Sequence, residues 1–598
     1  MLLTLLIVLP LAGIIPLLAF KDRNAPEIKV WALTVSFITL LLALPIWFTF
    51  DPGHIDQKKE AARAQLKSLD IRLNNKQMTK KEHDDASVEP KRVLRDSFYI
   101  VEVNRPWINL PGLKINYDMG LDGFSALLVL LSVLLVPLAI LASFKCIKDR
   151  QKEYYIAMLV LQAALVGVFA ARDLFLFYVF FEATLIPLYL MIGIWGGEQR
   201  VVATTRFVIY TVLGSLLMFV AILYIYYRTG LETFSIAKIA DQLATMRLMD
   251  GKEGFSKTEE FFCFWAFVLA FAIKMPLFPV HTWQPDAYTK APAPVTVLLS
   301  GVLAKLGAYG FFRLVIPFFP YATQEYIGLL AGLCLIGVVY GSMMAYVQTD
   351  FKTLLAYSSL AHLGLCLLGV LSMREAGVQG ALFQLIAHGI VTGGLFLMAG
   401  MMEERTQTRA IEYYGGLAKS MPKFATCFFI FTLAAVGLPL TNGFVGEFGI
   451  LLGAFQRHPV WALVGGTGMV LGAAYMLSLF QRVFLGKLVR RNLINVPDLS
   501  RRELALLLPL LILIFYMGLM PNAVLSRLDA ASQTYLFQSS RKSHHPDAPR
   551  PGQGDGMIAE ESPAAEPEAP AGAVPADADT ALAEPPQLAV PPQKGAAQ

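Results

Sequence analysis

Charge is scarce in this chain: of 598 residues only 16% are Asp, Glu, Lys or Arg, against 56% that are hydrophobic. A water-soluble globule of this size cannot hide that much apolar surface, so the solvent of most of the chain must be lipid. Cysteine is scarce as well. The five present (Cys146, Cys263, Cys334, Cys366, Cys427) are scattered, and no CxxC pair offers the ligand spacing of an iron–sulfur cluster. No Gly-rich phosphate loop follows a strand, which removes the nucleotide-binding fingerprints. The net charge of +5 is modest and points to loop topology, not to a nucleic-acid partner.

Long apolar runs fill the space these absences leave. About fourteen recur, each near twenty residues and so able to cross roughly 30 Å of hydrocarbon at about 1.5 Å per residue. They fall at 2–19, 30–49, 124–144, 154–171, 174–195, 206–227, 261–280, 296–317, 325–347, 353–372, 378–401, 425–450, 460–481 and 504–520. Their length and continuity argue for helices, because barrel strands need only about ten alternating residues. The first run lacks a small-residue cleavage site behind a basic segment and is expected to be retained as a helix. The predicted fold is therefore an all-α polytopic membrane protein.

Its expected organisation is two helices in 1–50, a charged outer-side loop with an insertion over 51–121, and a third helix within 122–153. Two five-helix units follow at 154–317 and 325–484, then a last span at 503–520 and a Pro/Ala-rich tail at 541–598. The tail cannot build a core. Residues 55–97 mix both charge signs with helix formers and read as a solvated helical or disordered insertion.

Lysine and arginine gather in the loops after odd-numbered spans: Lys21, Arg23 and Lys29; Lys145, Lys148 and Arg150; Arg405, Arg409, Lys419 and Lys423; and Arg482, Lys487, Arg490, Arg491, Arg501 and Arg502. By the positive-inside rule these loops face the cytoplasm and both termini lie outside; the long 50–121 loop falls beyond the reach of that rule.

An ionisable side chain near the bilayer centre costs about 2.5–3.5 kcal/mol on insertion scales, so most spans should carry none in their middle third. Six positions break this expectation: Glu182, Lys274, Lys305, His362, His388 and Glu447. Taken singly, a buried histidine is more often a satisfied structural group and a buried glutamate a helix-packing hydrogen bond. Six together are too costly to keep for packing and must face each other or water. Carboxylates, amines and imidazoles in a row are the groups that exchange protons near neutrality once burial and neighbours act on them. Glu182 and Lys274 have opposite signs and are expected to pair; neutralising or moving the carboxylate would favour proton release from the lysine along the row.

The seventh span is expected to break just after Lys274, where Pro276 and Pro279 remove backbone donors. A second break is expected at Gly437-Leu438-Pro439 with Asn442-Gly443, shortly before Glu447. Paired broken helices point to inverted-repeat transporters with a midplane ion site, although proline kinks are common in membrane helices. The halves also correspond in spacing, Glu182 to His362 by 180 residues and Lys274 to Glu447 by 173. Weaker candidates are Tyr357, Ser358 and Ser359, whose hydroxyls would hydrate the row, and His281, Asp286 and Lys290 after the first break. Arg172 and Asp173 read as a boundary and a cap.

The stretch Asp173–Trp195 (DLFLFYVFFEATLIPLYLMIGIW), the block from Lys274 to Pro294 (KMPLFPVHTWQPDAYTKAPAP), AYSSLAHLG and NGFVGEFGIL closely resemble the antiporter-like subunits of respiratory complex I, the NADH:quinone oxidoreductase. The resemblance covers roughly 1–50 and 98–520. It implies fourteen helices with two inverted five-helix repeats, and proton translocation driven at a distance by NADH oxidation and quinone reduction in other subunits. Glu447, where other types usually carry lysine, and a chain that ends soon after the fourteenth helix make it resemble the M type. Residue by residue, the resemblance gives Glu182 and Lys274 as the first ion pair, Lys305 and His362 as the central connection, His388 as an axis position and Glu447 as the exit-side group. It implies no cofactor in this chain, with NAD(H), FMN, iron–sulfur clusters and quinone in partner subunits. The implied partners are L-, N-, K-, J-, A- and H-type membrane subunits and a hydrophilic redox arm, and the implied location is a bacterial plasma membrane. The competing readings are a subunit of a cation/proton antiporter or membrane-bound hydrogenase, and a purely structural membrane subunit.

Overall fold

The structure, a computed structural model, describes residues 1–539 apart from 22–24, most of 50–99, 111, 248, 250–253 and 489. The insertion at 55–97 lies mostly outside the described residues, and the 541–598 tail entirely so.

Several helices begin where a side chain satisfies the first backbone N–H groups, others start without such a cap, and most run through the apolar stretches. α1 (Leu2–Ala19) and α2 (Ala25–Thr49) precede an antiparallel hairpin, β1 (Ile100–Leu110) and β2 (Leu113–Leu121). α3 (Gly123–Cys146) starts on a reciprocal capping box between Asp122 and Ser125. α4 (Gln151–Ala170), α5 (Leu174–Trp195) and α6 (Arg200–Thr229) follow, with Asp173 capping α5 through the N–H groups of Phe175 and Leu176. The short α7 (Ile236–Met246) leads to α8 (Lys257–Lys274), which Ser256 and Glu259 cap reciprocally, and to α9 (Trp283–Lys290). Next come α10 (Ala293–Phe318), α11 (Pro320–Val347), α12 (Phe351–Leu371) and α13 (Glu375–Thr406). α14 (Pro422–Ala435), α15 (Asn442–Arg457), α16 (Pro459–Phe484), α17 (Arg501–Leu519) and α18 (Asn522–Ser539) complete the chain.

Among the described residues twelve helices are long and apolar enough to cross a membrane: α1–α6, α10–α13, α16 and α17. The other two expected spans fall on interrupted stretches, 261–280 on α8 and the turn after it and 425–450 on α14, its break and α15. The apolar stretches of α10 and α13 are completely buried and α3, α4 and α12 nearly so, whereas α1, α2, α16 and α17 bury only about a third of theirs. The bundle is thus built around α10, α12 and α13.

Two additions were not expected. The β1–β2 hairpin lies in the segment read as charged loop, where it pairs Asn104 with Asp118 and Arg105 with Tyr117. It docks on the start of α5: Met119 bridges Ala171, and the Asn116 N–H donates to the Asp173 carboxylate at 3.3 Å. The second addition is α18, held against the bundle by Tyr535, which stacks on Phe312 and donates to the Val370 carbonyl at 2.9 Å.

Both helix breaks have the same local form. After α8 the Leu277 N–H reaches back five residues to the Ala272 carbonyl, and after α14 the Leu438 N–H reaches the Leu433 carbonyl. The residue before each leucine, Pro276 or Gly437, has positive φ. A second recurrence joins the caps, since Asp173 of α5 bridges Ser235 and Asp350 of α12 bridges Ala410. At the breaks the correspondence aligns Lys274 with Ala435, not with Glu447 as the 173-residue spacing had it. Glu447 instead sits inside α15, the second piece of its broken helix.

Candidate functional site: a buried file of titratable side chains

Lys305 is held by a distortion of its own helix. α10 carries two π-turns, Leu299–Leu303 and Phe311–Val315, on either side of Lys305–Gly310. Such wide turns leave carbonyls free to accept from side chains. The Lys305 ammonium, completely buried, donates to the Ser300 carbonyl and lies 2.7 Å from Nδ1 of His388 on α13. The Nε2 of His388 has no hydrogen-bond partner among the described residues, and its ring lies 5.6 Å, centroid to centroid, from that of His362 on α12.

His362 joins the central helices to the second break. Its Nδ1 lies 2.8 Å from the Ser358 carbonyl and its Nε2 3.2 Å from the Ala435 carbonyl at the end of α14. The same Nε2 is 3.3 Å from Oε1 of Glu447. The Ala435 carbonyl is open to a side chain because the chain turns away there. Lys305, His388, His362 and Glu447 are therefore one contiguous file, and a narrow void lined by Ser358, His362, Gln384, His388 and Thr392 runs beside it.

Lys274 is buried but stands apart from this file. Its ammonium lies 3.4 Å from the Thr184 hydroxyl and 4.4 Å above the Phe181 ring. The expected contact with Glu182 is not formed: among the described residues no ion pair within 4.0 Å joins the two. The reason is angular. Thr184 and Glu182 are two positions apart on α5 and so point to nearly opposite sides of it; Thr184 turns inward and Glu182 is left half-buried. Burial of Lys274 is compatible with the break behind it, where the Trp283 indole donates to the Ile273 carbonyl at 3.0 Å.

The weaker candidates divide. Ser358 bonds the Tyr475 hydroxyl at 2.8 Å beside the file, and the Ser359 hydroxyl is buried without a partner. Tyr357 faces Tyr340, with ring centroids 6.4 Å apart. His281 packs on Phe278 and Tyr340, and Asp286 pairs with Arg206 at 2.5 Å on the exposed side, so neither joins the file. Lys290 is half-buried, and its carbonyl accepts from the Gly197 N–H. Arg172 pairs with Asp118 at 3.9 Å while Asp173 caps α5, as a boundary and a cap would.

Sequence reasoning missed three groups. Gln384 of α13 donates to Glu447 at 3.2 Å, and its signal was its position one turn before His388. Thr184 had no signal beyond its nearness to Glu182. The third is a clamp at the ends of α12 and α13: Lys352 meets Glu403 at 3.0 Å and the Ala291 carbonyl at 3.1 Å, while Arg409 meets Asp350 at 3.0 Å and the Thr289 carbonyl at 2.7 Å. Lys352 and Glu403 lie just outside the apolar runs 353–372 and 378–401, where a charge costs little and draws no notice.

A polytopic bundle with two broken helices and a buried file of lysine, histidine and glutamate defines an antiporter-like membrane subunit. Residues 171–472 match the family described as "NADH:quinone oxidoreductase/Mrp antiporter, TM", and residues 98–168 match "NADH-ubiquinone oxidoreductase chain 4, amino terminus". The chain belongs to this family, on the branch of the NADH-quinone oxidoreductase M subunits. It is 42% identical to NADH-quinone oxidoreductase subunit M of Rhodobacter capsulatus over 436 residues, 73% of this chain and 84% of that one. A chain of respiratory complex I from Thermus thermophilus, solved with bound NADH, superposes with a TM-score of 0.74 at 32% identity, covering 90% of this chain and 100% of that one. A chain of the Mrp complex from Dietzia sp. DQ12-45-1b shares the fold alone, with a TM-score of 0.63 at 20% identity over 87% of this chain and 100% of that one.

Proposed function

We propose that this chain is a proton-translocating membrane subunit of an NADH:quinone oxidoreductase, moving protons while electrons pass from NADH to quinone in other subunits. The observation that carries the proposal is the contiguous file Lys305–His388–His362–Glu447, with steps of 2.7 Å, one ring-to-ring gap of 5.6 Å and 3.3 Å. A proton leaving the Lys305 ammonium is accepted at Nδ1 of His388, while the proton on the opposite nitrogen departs toward His362. His362 in turn gives a proton from Nε2 to the Glu447 carboxylate. Each transfer breaks one N–H bond and forms one N–H or O–H bond, and the file is restored once Glu447 has released its proton, both imidazoles have returned to their starting tautomers and Lys305 has been reprotonated. Lys274, with Glu182 near it but not in contact, acts upstream as the charge whose release starts the sequence.

Chemistry on NADH, FMN, iron–sulfur clusters and quinone belongs in this proposal to the hydrophilic arm and the neighbouring membrane subunits. In this proposal both termini lie on the outer side of the membrane, a reading supported by the excess of Lys and Arg in the loops after odd-numbered spans.

The test is NADH-driven proton pumping in inverted membranes carrying Glu447→Gln or Lys274→Ala, with assembly of the complex followed on native gels. Loss of pumping and of quinone-reductase activity in an assembled complex is the expected result. Wild-type pumping in both variants would remove the file from the path. Parent membranes with no NADH-dependent pumping but with cation-driven proton exchange would favour the antiporter reading.

A further inference from the structure

The end of the file holds a side chain suited to both of its states. Glu447 lies on α15 and is 2% exposed, and Gln384 lies on α13 and is 3% exposed. The Gln384 amide donates from Nε2 to Oε1 of Glu447 at 3.2 Å, the same oxygen that His362 approaches at 3.3 Å. The amide's own oxygen is buried with no partner among the described residues. A buried amide acceptor left unmatched is costly unless it is used in another state of the site.

The backbone pins this pair. A Cβ on Gly446 would come within 2.4 Å of the Gln384 oxygen and 2.8 Å of its Cα, and a Cβ on Gly380 would come within 2.6 Å of the backbone of α15. α13 and α15 therefore touch backbone to backbone, and the stem of Gln384 has nowhere to go. On the far side of the carboxylate, a Cβ on Gly437 would lie 2.6 Å from Oε2 of Glu447. Only the terminal amide of Gln384 retains a torsion to turn.

We infer that Gln384 is the positioning residue that holds Glu447 in both protonation states, donating from its NH2 to the carboxylate and, after a half-turn of the amide, accepting from the carboxylic acid through its oxygen. This inference rests on the proton-relay reading of Glu447. When His362 transfers its proton, the N–H bond breaks and an O–H bond forms on Glu447. An NH2 group aimed at that O–H would oppose it, whereas the amide oxygen accepts it. Like a hydroxyl, a side-chain amide carries both a donor and an acceptor on one rotatable end without titrating itself, and here it is the group that reaches Glu447. Gln384 thereby evens out the energies of the two Glu447 states, and a transfer between nearly balanced states is the fast one.

The groups facing Glu447 are His362, the Lys305–His388 pair behind it, Tyr475 of α16 and Cys366 of α12. A change confined to Gln384 leaves all of them in place. The experiment uses the assembled complex carrying Gln384→Met, which keeps the volume but has neither donor nor acceptor, and Gln384→Glu, which keeps the shape. Three quantities are read: NADH-driven pumping, its pH profile, and the infrared carboxyl band of Glu447, identified by its absence in Glu447→Gln. The expected result for Gln384→Met is a pumping rate lower by about tenfold, the factor for one charge-assisted hydrogen bond. Its pH profile should move by about half a unit or more, with a displaced Glu447 band. Gln384→Glu should pump with a pH profile of different shape, since two carboxyls then share one site.

An assembled Gln384→Met complex with the wild-type pH profile and an unmoved band would overturn the inference and leave Gln384 as packing. So would failure of both variants to assemble. If Glu447→Gln itself pumps like the wild type, the relay reading falls, and the displacement of the Glu447 band still decides the role of Gln384 separately.

Discussion

Lys274 carries its charge inside the bundle with two close contacts, one hydroxyl at 3.4 Å and one aromatic face at 4.4 Å. A desolvated cation–π contact contributes about 2 kcal/mol and a hydrogen bond to a charged group about 1.5–3 kcal/mol. Together these are comparable to the roughly 2.5–3.5 kcal/mol needed to place a lysine at the bilayer centre. The balance is close, which suits a group that gains and loses its proton in the proposed relay. Thr184→Val should therefore cut NADH-driven pumping by about tenfold without loss of assembly, with Thr184→Ser close to wild type. Equal pumping in the valine variant would show that the hydroxyl does not matter. At this scale the six titratable positions were legible in the sequence because each is costly in an apolar run. Their contacts were not, because which side of a helix a residue faces depends on the neighbour packed there. Glu182 and Lys274 have the signs of a pair, yet Thr184 occupies the inward position.

Breaks do at the level of elements what single residues do at the site. Gly437 ends α14 with φ +75°, and its missing side chain leaves room for Oε2 of Glu447. An alanine there carries about 1–2 kcal/mol of left-handed backbone strain and pushes against the carboxylate. Gly437→Ala should lower both pumping and yield of assembled complex. Gly466→Ala on α16, where an added Cβ meets nothing within 4 Å, should change neither. If both variants behave alike on native gels and in pumping, the close approach at Gly437 carries no function. The breaks themselves were readable from Pro276 and from Gly437 with Pro439, since both residue types disturb the helical ladder. The π-turns around Lys305 were not; Pro317 stands just past the second, but no proline lies within or just after the first. The hairpin at 100–121 was missed because it shares its loop with the charged insertion, which masked its alternating pattern.

Long-range ion pairs tie the outer helices to the bundle. Arg405 at the end of α13 reaches Glu503 of α17 at 2.7 Å, with side-chain exposures of 8% and 2%, and also donates to the Pro497 carbonyl at 2.9 Å. Removing one member of such a buried pair costs about 3–5 kcal/mol, because the other charge is stranded. Arg405→Met should accordingly lower the melting temperature of the detergent-solubilised protein. Adding Glu503→Gln should lower it by less in that background than in the wild type, since the pair is already broken. Strict additivity of the two changes would show that the pair contributes nothing as a pair.

The sequence by itself determined that this is a helical membrane protein, where most spans run, which side chains defy the lipid and where two helices break. Each of these follows from a local cost, an apolar run in water, a charge in hydrocarbon or a proline in a ladder, that a one-dimensional reading can register. Only the tertiary structure decided that Lys305, His388, His362 and Glu447 form one file while Lys274 stands apart, and that Gln384 closes the file's end. Those outcomes depend on which faces of α10, α12, α13 and α15 meet, and glycines such as Gly380 and Gly446 set that meeting by letting backbones approach.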